Sequence, residues 1–401
     1  MTPGDSVIPG SASAGPLAGV RVVDFTENMA GPFGTMILAD QGADVIKVES
    51  PSGDALRHRG TGAREMSSYF ANLNRGKRSL CLDLRSPRAG DVLAPLLDSA
   101  DVVVCSLRPA AAARLRIDEP SVRASRPHVI HASIVGFGAT GPWAGRPVYD
   151  HVIQATSGMA DQQVQNEADR PRLIRHGLVD KTTGHVLAQS VTAALFDRLR
   201  TQRGAALSIV MLDVAISLLW PDGMMNHTAL DPAVRGQAAA QTFQLTPTAD
   251  GYISLVALKP RSWRNLVAAL RLPLDEDAPP GEILRAARAE LKSMTSAEAA
   301  ERLAEHDVPC APVVALADVP AHPQVVANGT LVEYAHPVIG RIRQPRPVPA
   351  FPGVVPEALP GARLLGADTR QVLGELGLDG AAIGSLVDDG VVRVPAGDEP
   401  D

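Results

Sequence analysis

Asp180 opens the segment Asp180-Lys-Thr-Thr-Gly184, just ahead of a long stretch with apolar residues at helical spacing. An aspartate placed there has two readings. One is a helix N-cap, a very common position for Asp. The other is a nucleophile: a carboxylate can attack a thioester to give an anhydride, which divides one hard step into easier ones. A helix N-terminus would favour its ionised form, and neighbouring N–H groups or hydroxyls would hold an oxyanion. Taken alone, the spacing favours the cap.

Gly136-Phe-Gly-Ala-Thr-Gly141 has the spacing G-x-G-x-x-G and follows a strand. A dinucleotide site needs a helix to open at that point and present its N-terminus to the pyrophosphate. Pro142, Gly145 and Pro147 follow instead and suit a loop. Gly136, Gly138 and Gly141 therefore read as a flexible turn, although at the end of a strand where α/β sheets place their ligands. Arg85, Arg108, Arg114 and Lys77 lie near strand ends. Arginines there can take phosphates bidentately, or they are solvated charges. His58, His128, His131, His151 and His185 lack metal-binding spacing, and Cys81, Cys105 and Cys310 form no C-x-x-C pair, so no metal site is expected. No P-loop or G-x-S-x-G is present.

These residues need a frame, and the sequence supplies a regular one. Val20–Phe25 is a β-branched strand, a helix opens at Pro32 and closes at Gly42, and Asp44–Glu49 is a second strand: a βαβ unit, hence a parallel sheet. Further strands are expected at Ser79–Leu84, Asp101–Cys105 and His128–Val135, with a helix over Gly90–Ala100. A long helix is expected from about Asp180, with Leu187, Val191, Leu195 and Leu199 on one face and Gly204 after its basic last turn. Val210–Leu219 reads as another helix. The alternation predicts a doubly wound, mostly parallel α/β domain. Residues 230–330 differ in texture, with a strand at Gly251–Val256 and helices at Arg261–Leu270 and Glu282–Leu291. A short helix follows at Thr369–Leu376. The expected organisation is a disordered leader (1–15), a large Rossmann-like α/β domain (16–225), a smaller α+β domain (226–330) and a C-terminal segment (331–401) that returns to the large domain.

Composition narrows the function classes. The chain has 401 residues, 38 basic and 44 acidic, for a formal net charge of −6; apolar types make up 45% and aromatics 3%. This is globular composition, long enough for two domains. Mild acidity and few aromatics count against nucleic-acid binding, which wants a basic face and stacking platforms. No apolar run approaches the ~20 residues that span a bilayer, and the N-terminus lacks the pattern of a secretory signal. A soluble, cytoplasmic protein is expected, with its thiols reduced.

Ordered blocks along the chain then resemble the class III CoA-transferase (CaiB–BaiF) family, which includes formyl-CoA transferase, carnitine CoA-transferase and α-methylacyl-CoA racemase. The resemblance runs from about Gly15 to Val392. It is carried by Gly19-Val-Arg-Val-Val-Asp-Phe-Thr26, Ala30-Gly-Pro-Phe33, Leu38-Ala-Asp-Gln-Gly-Ala-Asp-Val-Ile-Lys-Val-Glu49, Gly53-Asp54 with Arg57, and Asn74-Arg-Gly-Lys-Arg-Ser-Leu-Cys-Leu-Asp-Leu-Arg85. Further along come Arg108-Pro109 with Arg114-Leu115, Gly136–Pro142, Pro147-Val-Tyr-Asp150, Gln154–Gly158, Asp180-x-x-Thr-Gly184, Val308–Val313 and Leu365–Leu373.

The resemblance implies that Asp180 attacks an acyl-CoA, passing through an aspartyl anhydride and an aspartyl–CoA thioester before a second carboxylic acid takes the CoA. It implies CoA contacts at Met29, Ala30, Leu82, Asp83, Leu84, Arg85, Ser106, Leu107, Arg108, Arg114, Tyr149 and Asp150, with Gly136, Gly138 and Gly141 as a mobile cover. It also implies an interlocked homodimer, and coenzyme A or acyl-CoA as substrate with no tightly bound cofactor. Ser106, Leu107 and Ala110 replace the commoner Asn, Phe and Gly. Two alternatives stand beside transfer. The racemase branch places a histidine where this chain has Tyr149, a poor two-way proton shuttle with its pKa of ~10; His151 lies two residues on. A catalytically silent CoA-binding protein would be expected to lack Asp180. Leu255–Ser262 carries no glycine, unlike oxalate-specific relatives, which disfavours formyl/oxalate exchange. Lys259 and Arg261 are candidates for meeting an acceptor carboxylate.

Overall fold

A computed structural model of the chain describes residues 15–63, 65–164, 170–234, 244–348, 351 and 361–395. Apart from Gly15, the leader lies outside the described residues, as do parts of the proline-rich passage after Gln344. The chain divides into two compact units, Met1–Thr228 with Val332–Asp401 and Ala229–Leu331.

The larger unit is built on a seven-stranded sheet. Its strands are β1 (Arg21–Phe25), β2 (Asp44–Glu49), β3 (Lys77–Leu82), β4 (Val102–Cys105), β5 (Ile130–Val135), β6 (Ala206–Val210) and β7 (Val392–Arg393). They lie in the order β7-β3-β2-β1-β4-β5-β6. All neighbours are parallel except β7, which runs antiparallel on the β3 edge. The parallel core is therefore a 3-2-1-4-5-6 doubly wound sheet, as the βαβ alternation predicts, and its strand order reverses between β1 and β4.

Both faces of this sheet are covered, so apolar residues of its strands point to either side. Val23, Phe25, Ile46, Leu80, Val103 and Cys105 point to one cluster with the helices Gly90–Asp98, Thr369–Glu375 and Gly380–Asp388. Their neighbours Val22, Val45, Val102, Val104 and Ile130 point to the other. That second face carries the helices that matter for the site: α1 (Ala30–Asp40), α2 (Asp150–Thr156), α3 (Leu178–Thr201) and α4 (Met211–Gly223).

Several expectations shift. β3 begins at Lys77 and ends at Leu82, two residues before the expected strand at each end. The edge strands β6 and β7 were not anticipated. β6 is half-exposed and lies between two helices without a long apolar run, and β7 has two residues, too few for a periodicity to show. Leu199 is 72% exposed rather than on the buried face of α3. Gln202 takes the left-handed position after that helix (φ 57°), not Gly204. Gly204 is demanded for another reason: a Cβ there would lie 2.1 Å from the Val129 carbonyl oxygen.

The smaller unit packs a three-stranded antiparallel sheet (Leu245–Pro247, Tyr252–Leu255, Cys310–Pro312) against the helices Pro260–Leu270, Pro280–Leu291 and Ser296–Ala304. A capping box at Thr295 and Glu298 starts the last of these. Among the described residues no helix is long and apolar enough to cross a membrane.

Candidate active site

The chain around Asp180 is shaped by glycines. Gly177 is the N-cap of α3, so Asp180 is the third residue inside the helix, and the N-cap reading of Asp180 falls. A Cβ on Gly177 would lie 2.6 Å from Met29 Sδ, the N-cap side chain of α1. About two turns on, a Cβ on Gly184 would lie 2.8 Å from the Ala30 carbonyl oxygen and 2.9 Å from the Gly34 nitrogen. At Gly184 only a glycine allows α1 and α3 this backbone-to-backbone approach. The start of α1, with Met29 and Ala30, is thereby set against the start of α3, with Asp180.

Asp150 completes the group from α2. It is buried, and its Oδ2 accepts the Asp180 amide N–H at 2.9 Å. Its Oδ1 accepts from Gln154 Nε2 at 2.5 Å, and Gln154 Oε1 in turn accepts the Ile174 amide at 2.8 Å. One N–H at the start of α3, that of Asp180, is thus turned toward Asp150. Asp180 itself is partly buried, and that burial, with the Asp150 charge beside it, raises its pKa from 3.8 to about 7. Against the expectation that the helix N-terminus favours the ionised form of Asp180, burial and then the Asp150 charge push its pKa up.

Tyr69, from the helix Ser68–Asn74, was missed by sequence reasoning. It packs, as Met29 and Phe33 do, against the buried cluster of Leu56, Met66 and Phe70, and its phenol pKa is raised first by burial and then by the charge of Asp180. A Tyr-Phe pair entering a short helix gives no sign of this; the neighbourhood exists only once α1 is folded over it. Tyr149 is 58% exposed and stacks on His151 at 6.2 Å between ring centroids, so His151 faces outward while Asp150 between them faces Asp180.

The remaining expected residues distribute along the carboxyl ends of the strands. Ser106, after β4, accepts the Glu27 amide at 3.1 Å, which ties the two loops on either side of the reversal in strand order. Ligands in doubly wound sheets sit in that crevice. Arg108 and Arg114 stand exposed at the two ends of the helix Pro109–Arg114. Arg85 pairs with Asp83 at 3.1 Å in solvent. Leu82 is 1% exposed inside the core, and Leu84 and Leu107 pack against the same core. Their side chains are spoken for by the fold. Lys77 is corrected outright. It lies at the start of β3, buried against Asp24 (3.1 Å), and is no solvated or phosphate-facing charge.

Gly138 and Gly141 adopt positive φ (93° and 90°) in an exposed loop, whereas a Cβ on Gly136 would lie 2.3 Å from Val148. The loop closes on itself by the edge contact of Phe137 and Trp143 and by Arg146 over the Trp143 ring. No helix opens at its end, so the dinucleotide reading fails. In the smaller unit, Arg261 pairs with Asp307 at 3.5 Å and Lys259 caps the helix Pro260–Leu270. No group of metal-ligating side chains occurs among the described residues.

A partly buried aspartate beside a buried second carboxylate, set against the start of the helix that follows β1, invites comparison with known proteins. The family model of CoA-transferase family III matches residues 17–369. The chain is 37% identical over 282 residues to the probable fatty acyl-CoA transferase Rv3272 of Mycobacterium tuberculosis, covering 66% of this chain and 71% of that one. It is 31% identical over 397 residues to the succinyl-CoA:glutarate CoA-transferase of Mus musculus, covering 94% and 90%. Among solved structures, Rv3272 in an orthorhombic form superposes with a TM-score of 0.77 at 30% identity, covering 89% of this chain and 99% of that chain. A CAIB/BAIF family protein from Brucella suis gives 0.75 at 28% identity, covering 90% and 99%.

Proposed function

The chain belongs to CoA-transferase family III, and we propose that it moves CoA between carboxylic acids with Asp180 as the covalent nucleophile. Asp180 attacks the thioester carbonyl of the donor acyl-CoA. The C–S bond breaks, the CoA thiolate leaves and an aspartyl–acyl anhydride remains. The thiolate then attacks the aspartyl carbonyl, releasing the donor acid as its carboxylate and leaving an aspartyl–CoA thioester. The acceptor carboxylate attacks that carbonyl, forming a second anhydride and freeing the thiolate. Thiolate attack on the acceptor's acyl carbon releases the new acyl-CoA and restores Asp180. No proton is gained or lost around the cycle, provided Asp180 starts as the carboxylate.

The observation that carries this reading is the placement of Asp180, partly buried in the first turn of α3 with Asp150 accepting its amide N–H at 2.9 Å, an environment that pushes its pKa up. A carboxylate poorly solvated and close to a like charge is a stronger nucleophile than one in water, and remains substantially ionised near neutral pH. Water must be kept from the anhydride, and the Gly136–Gly141 loop is suited to move over the site. CoA lies along the carboxyl ends of β1, β3 and β4, against Met29, Ala30 and the residues from Ser106 to Arg108, with Arg85, Arg108 and Arg114 available for its phosphates. Leu82 and its neighbours shape that surface from beneath. The acid substrates are carboxylates whose identity the chain does not spell out. Formyl/oxalate exchange remains disfavoured by the glycine-free Leu255–Ser262 segment. The working assembly is an interlocked homodimer, and the compartment the cytoplasm.

Incubating the enzyme with acyl-CoA and then hydroxylamine tests the reading. Mass spectrometry should find Asp180 converted to its hydroxamate. An unmodified Asp180 peptide from an enzyme that turns over refutes the covalent route. Racemisation is separated by deuterium: exchange at the α-carbon of a 2-methylacyl-CoA in heavy water would assign proton transfer in place of CoA transfer.

A further inference from the structure

Beneath the loop from β1 to α1 lies a cluster of fully buried charges that the transfer chemistry does not use. Asp24, Lys47, Asp54 and Lys77 are each 3% exposed or less. Asp24 Oδ1 accepts from the Thr26 amide (2.9 Å) and hydroxyl (2.5 Å), and its Oδ2 accepts from the Thr35 hydroxyl (2.6 Å) and from Lys77 Nζ (3.1 Å). Lys77 Nζ also donates to the Pro32 carbonyl (2.9 Å) and to Asn74 Oδ1 (2.8 Å). Lys47 Nζ donates to the Thr26 carbonyl (2.7 Å) and pairs with Asp54 (3.1 Å).

Burying such ions is expensive, and apolar side chains of similar volume would often hold a fold at least as well. What distinguishes these charges is where their spare hydrogen bonds go. Lys47 grips the Thr26 carbonyl in the loop and Lys77 grips the Pro32 carbonyl in the first turn of α1, while Asp24 holds Thr26 N–H and Thr35. The segment between them contains Asn28, held at φ 64°, a left-handed conformation that a non-glycine residue adopts at a cost. A Cβ on Gly31 would lie 2.3 Å from Thr26 Cβ, so the loop has no slack. Met29 and Ala30 stand at its end, in contact with the glycines that flank Asp180.

We propose that Asp24, Lys47 and Lys77 are positioning residues that hold the Thr26–Ala30 turn in the one geometry that receives the acyl-CoA beside Asp180. This rests on the transfer reading above. The charges touch neither substrate nor nucleophile. They act through the backbone of the turn, which carries Met29 and Ala30 on one side and meets the loop after β4 through Glu27 and Ser106 on the other.

The test uses ping-pong kinetics of the full chain, in which the two substrates have separate KM values. The double variant Asp24→Asn/Lys77→Met removes one anion and one cation together, so no uncompensated charge is left by the change. It should fold, bind acyl-CoA at least 10-fold more weakly by KM, and keep its KM for the acceptor acid within threefold. Loss of packing alone would lower the titrated fraction of active sites, and hence kcat, without moving either KM. A donor KM within threefold of the parent therefore overturns the proposal, whatever happens to kcat. Thr26→Val keeps every ion and side-chain volume and deletes one hydroxyl; it should raise the donor KM severalfold, and decides the matter if the double variant fails to fold. Hydroxamate formation at Asp180 in the parent enzyme keeps the two failures apart: its absence refutes the transfer reading, whereas its presence with an unmoved donor KM refutes only the positioning role.

Discussion

Replacing Asp180 by Asn should destroy transfer and, at the same time, stabilise the protein in a pH-dependent way. Both effects come from the raised pKa. In the unfolded chain Asp180 loses its proton near 3.8; folded, it holds the proton to about 7. Between those values the folded state binds more protons than the unfolded one, so this group's stabilising contribution is complete below 3.8 and is lost as pH rises to 7. Each unit is worth about 1.4 kcal/mol, so the whole loss is at most about 4 kcal/mol and the part between pH 5 and pH 8 about 3 kcal/mol. Water reaching the partly exposed carboxylate reduces these figures. The asparagine of the variant would carry no charge at any pH and suffers no such loss. Melting the parent and Asp180→Asn side by side should therefore show a small difference at pH 5 that grows in the variant's favour by pH 8. At about 1 °C per kcal/mol for a chain of this length, the growth is about 2–3 °C. Hydroxylamine should at the same time label nothing at position 180. A difference in melting temperature that stays flat with pH, or shrinks, would show that Asp180 is already ionised in the folded protein at pH 5 and that burial is not what sets its reactivity.

The parent's kcat/KM should rise with pH through an apparent pKa near 7 as Asp180 ionises; Asp150→Asn, which removes the neighbouring charge and keeps an acceptor for the Asp180 amide, should move that limb to lower pH. Gly184→Ala should destabilise the fold by about 1–3 kcal/mol in urea, because its Cβ would press on the Ala30 carbonyl oxygen and the Gly34 nitrogen, backbone atoms that cannot turn aside. Tyr69→Phe should leave the melting temperature nearly unchanged, since the ring packing survives, and lower kcat/KM by about tenfold if the phenol assists the Asp180 carbonyl.

The parallel sheet was legible because its strands are buried on both faces. Val20–Phe25 and Asp44–Glu49 are rich in β-branched residues (Val20, Val22 and Val23; Val45, Ile46 and Val48), and a turn signal such as Gly42 separates helix from strand. The edges were not, because an edge strand needs only one covered face: Ala206–Val210 alternates exposed and covered residues within five positions, and Val392–Arg393 pairs with β3 through tertiary proximity alone. The resemblance brought Asp180, Asp150, Met29 and Ala30 together as candidates, but it could not say that Asp180 sits inside the helix instead of capping it. That placement follows from the helix starting after Gly177, a boundary that no spacing signal marks.

The same limit explains why the charged residues of the opening blocks were harder to read than the apolar ones. Lys47, Lys77, Asp24 and Asp54 look like surface or ligand-binding charges in a linear sequence, since Lys and Asp are rarely buried. Their burial follows from the pleat. Asp24 and Lys47 occupy adjacent positions on β1 and β2, whose Cα atoms are register partners, and Lys77 comes in from the start of β3 to reach the same acid. Opposite charges on neighbouring strands neutralise one another, and the hydrogen bonds left over on Asp24, Lys47 and Lys77 reach the β1–α1 loop and the first turn of α1. A motif of this kind therefore carries two messages at once. Its apolar members specify the sheet, and its ionic members hold backbone groups of the loop between β1 and α1. Because every ion in it is matched within the cluster, removing a single partner, as in Lys77→Met alone, should cost more stability than removing the Asp24 and Lys77 charges together, by about 2–4 kcal/mol in urea unfolding.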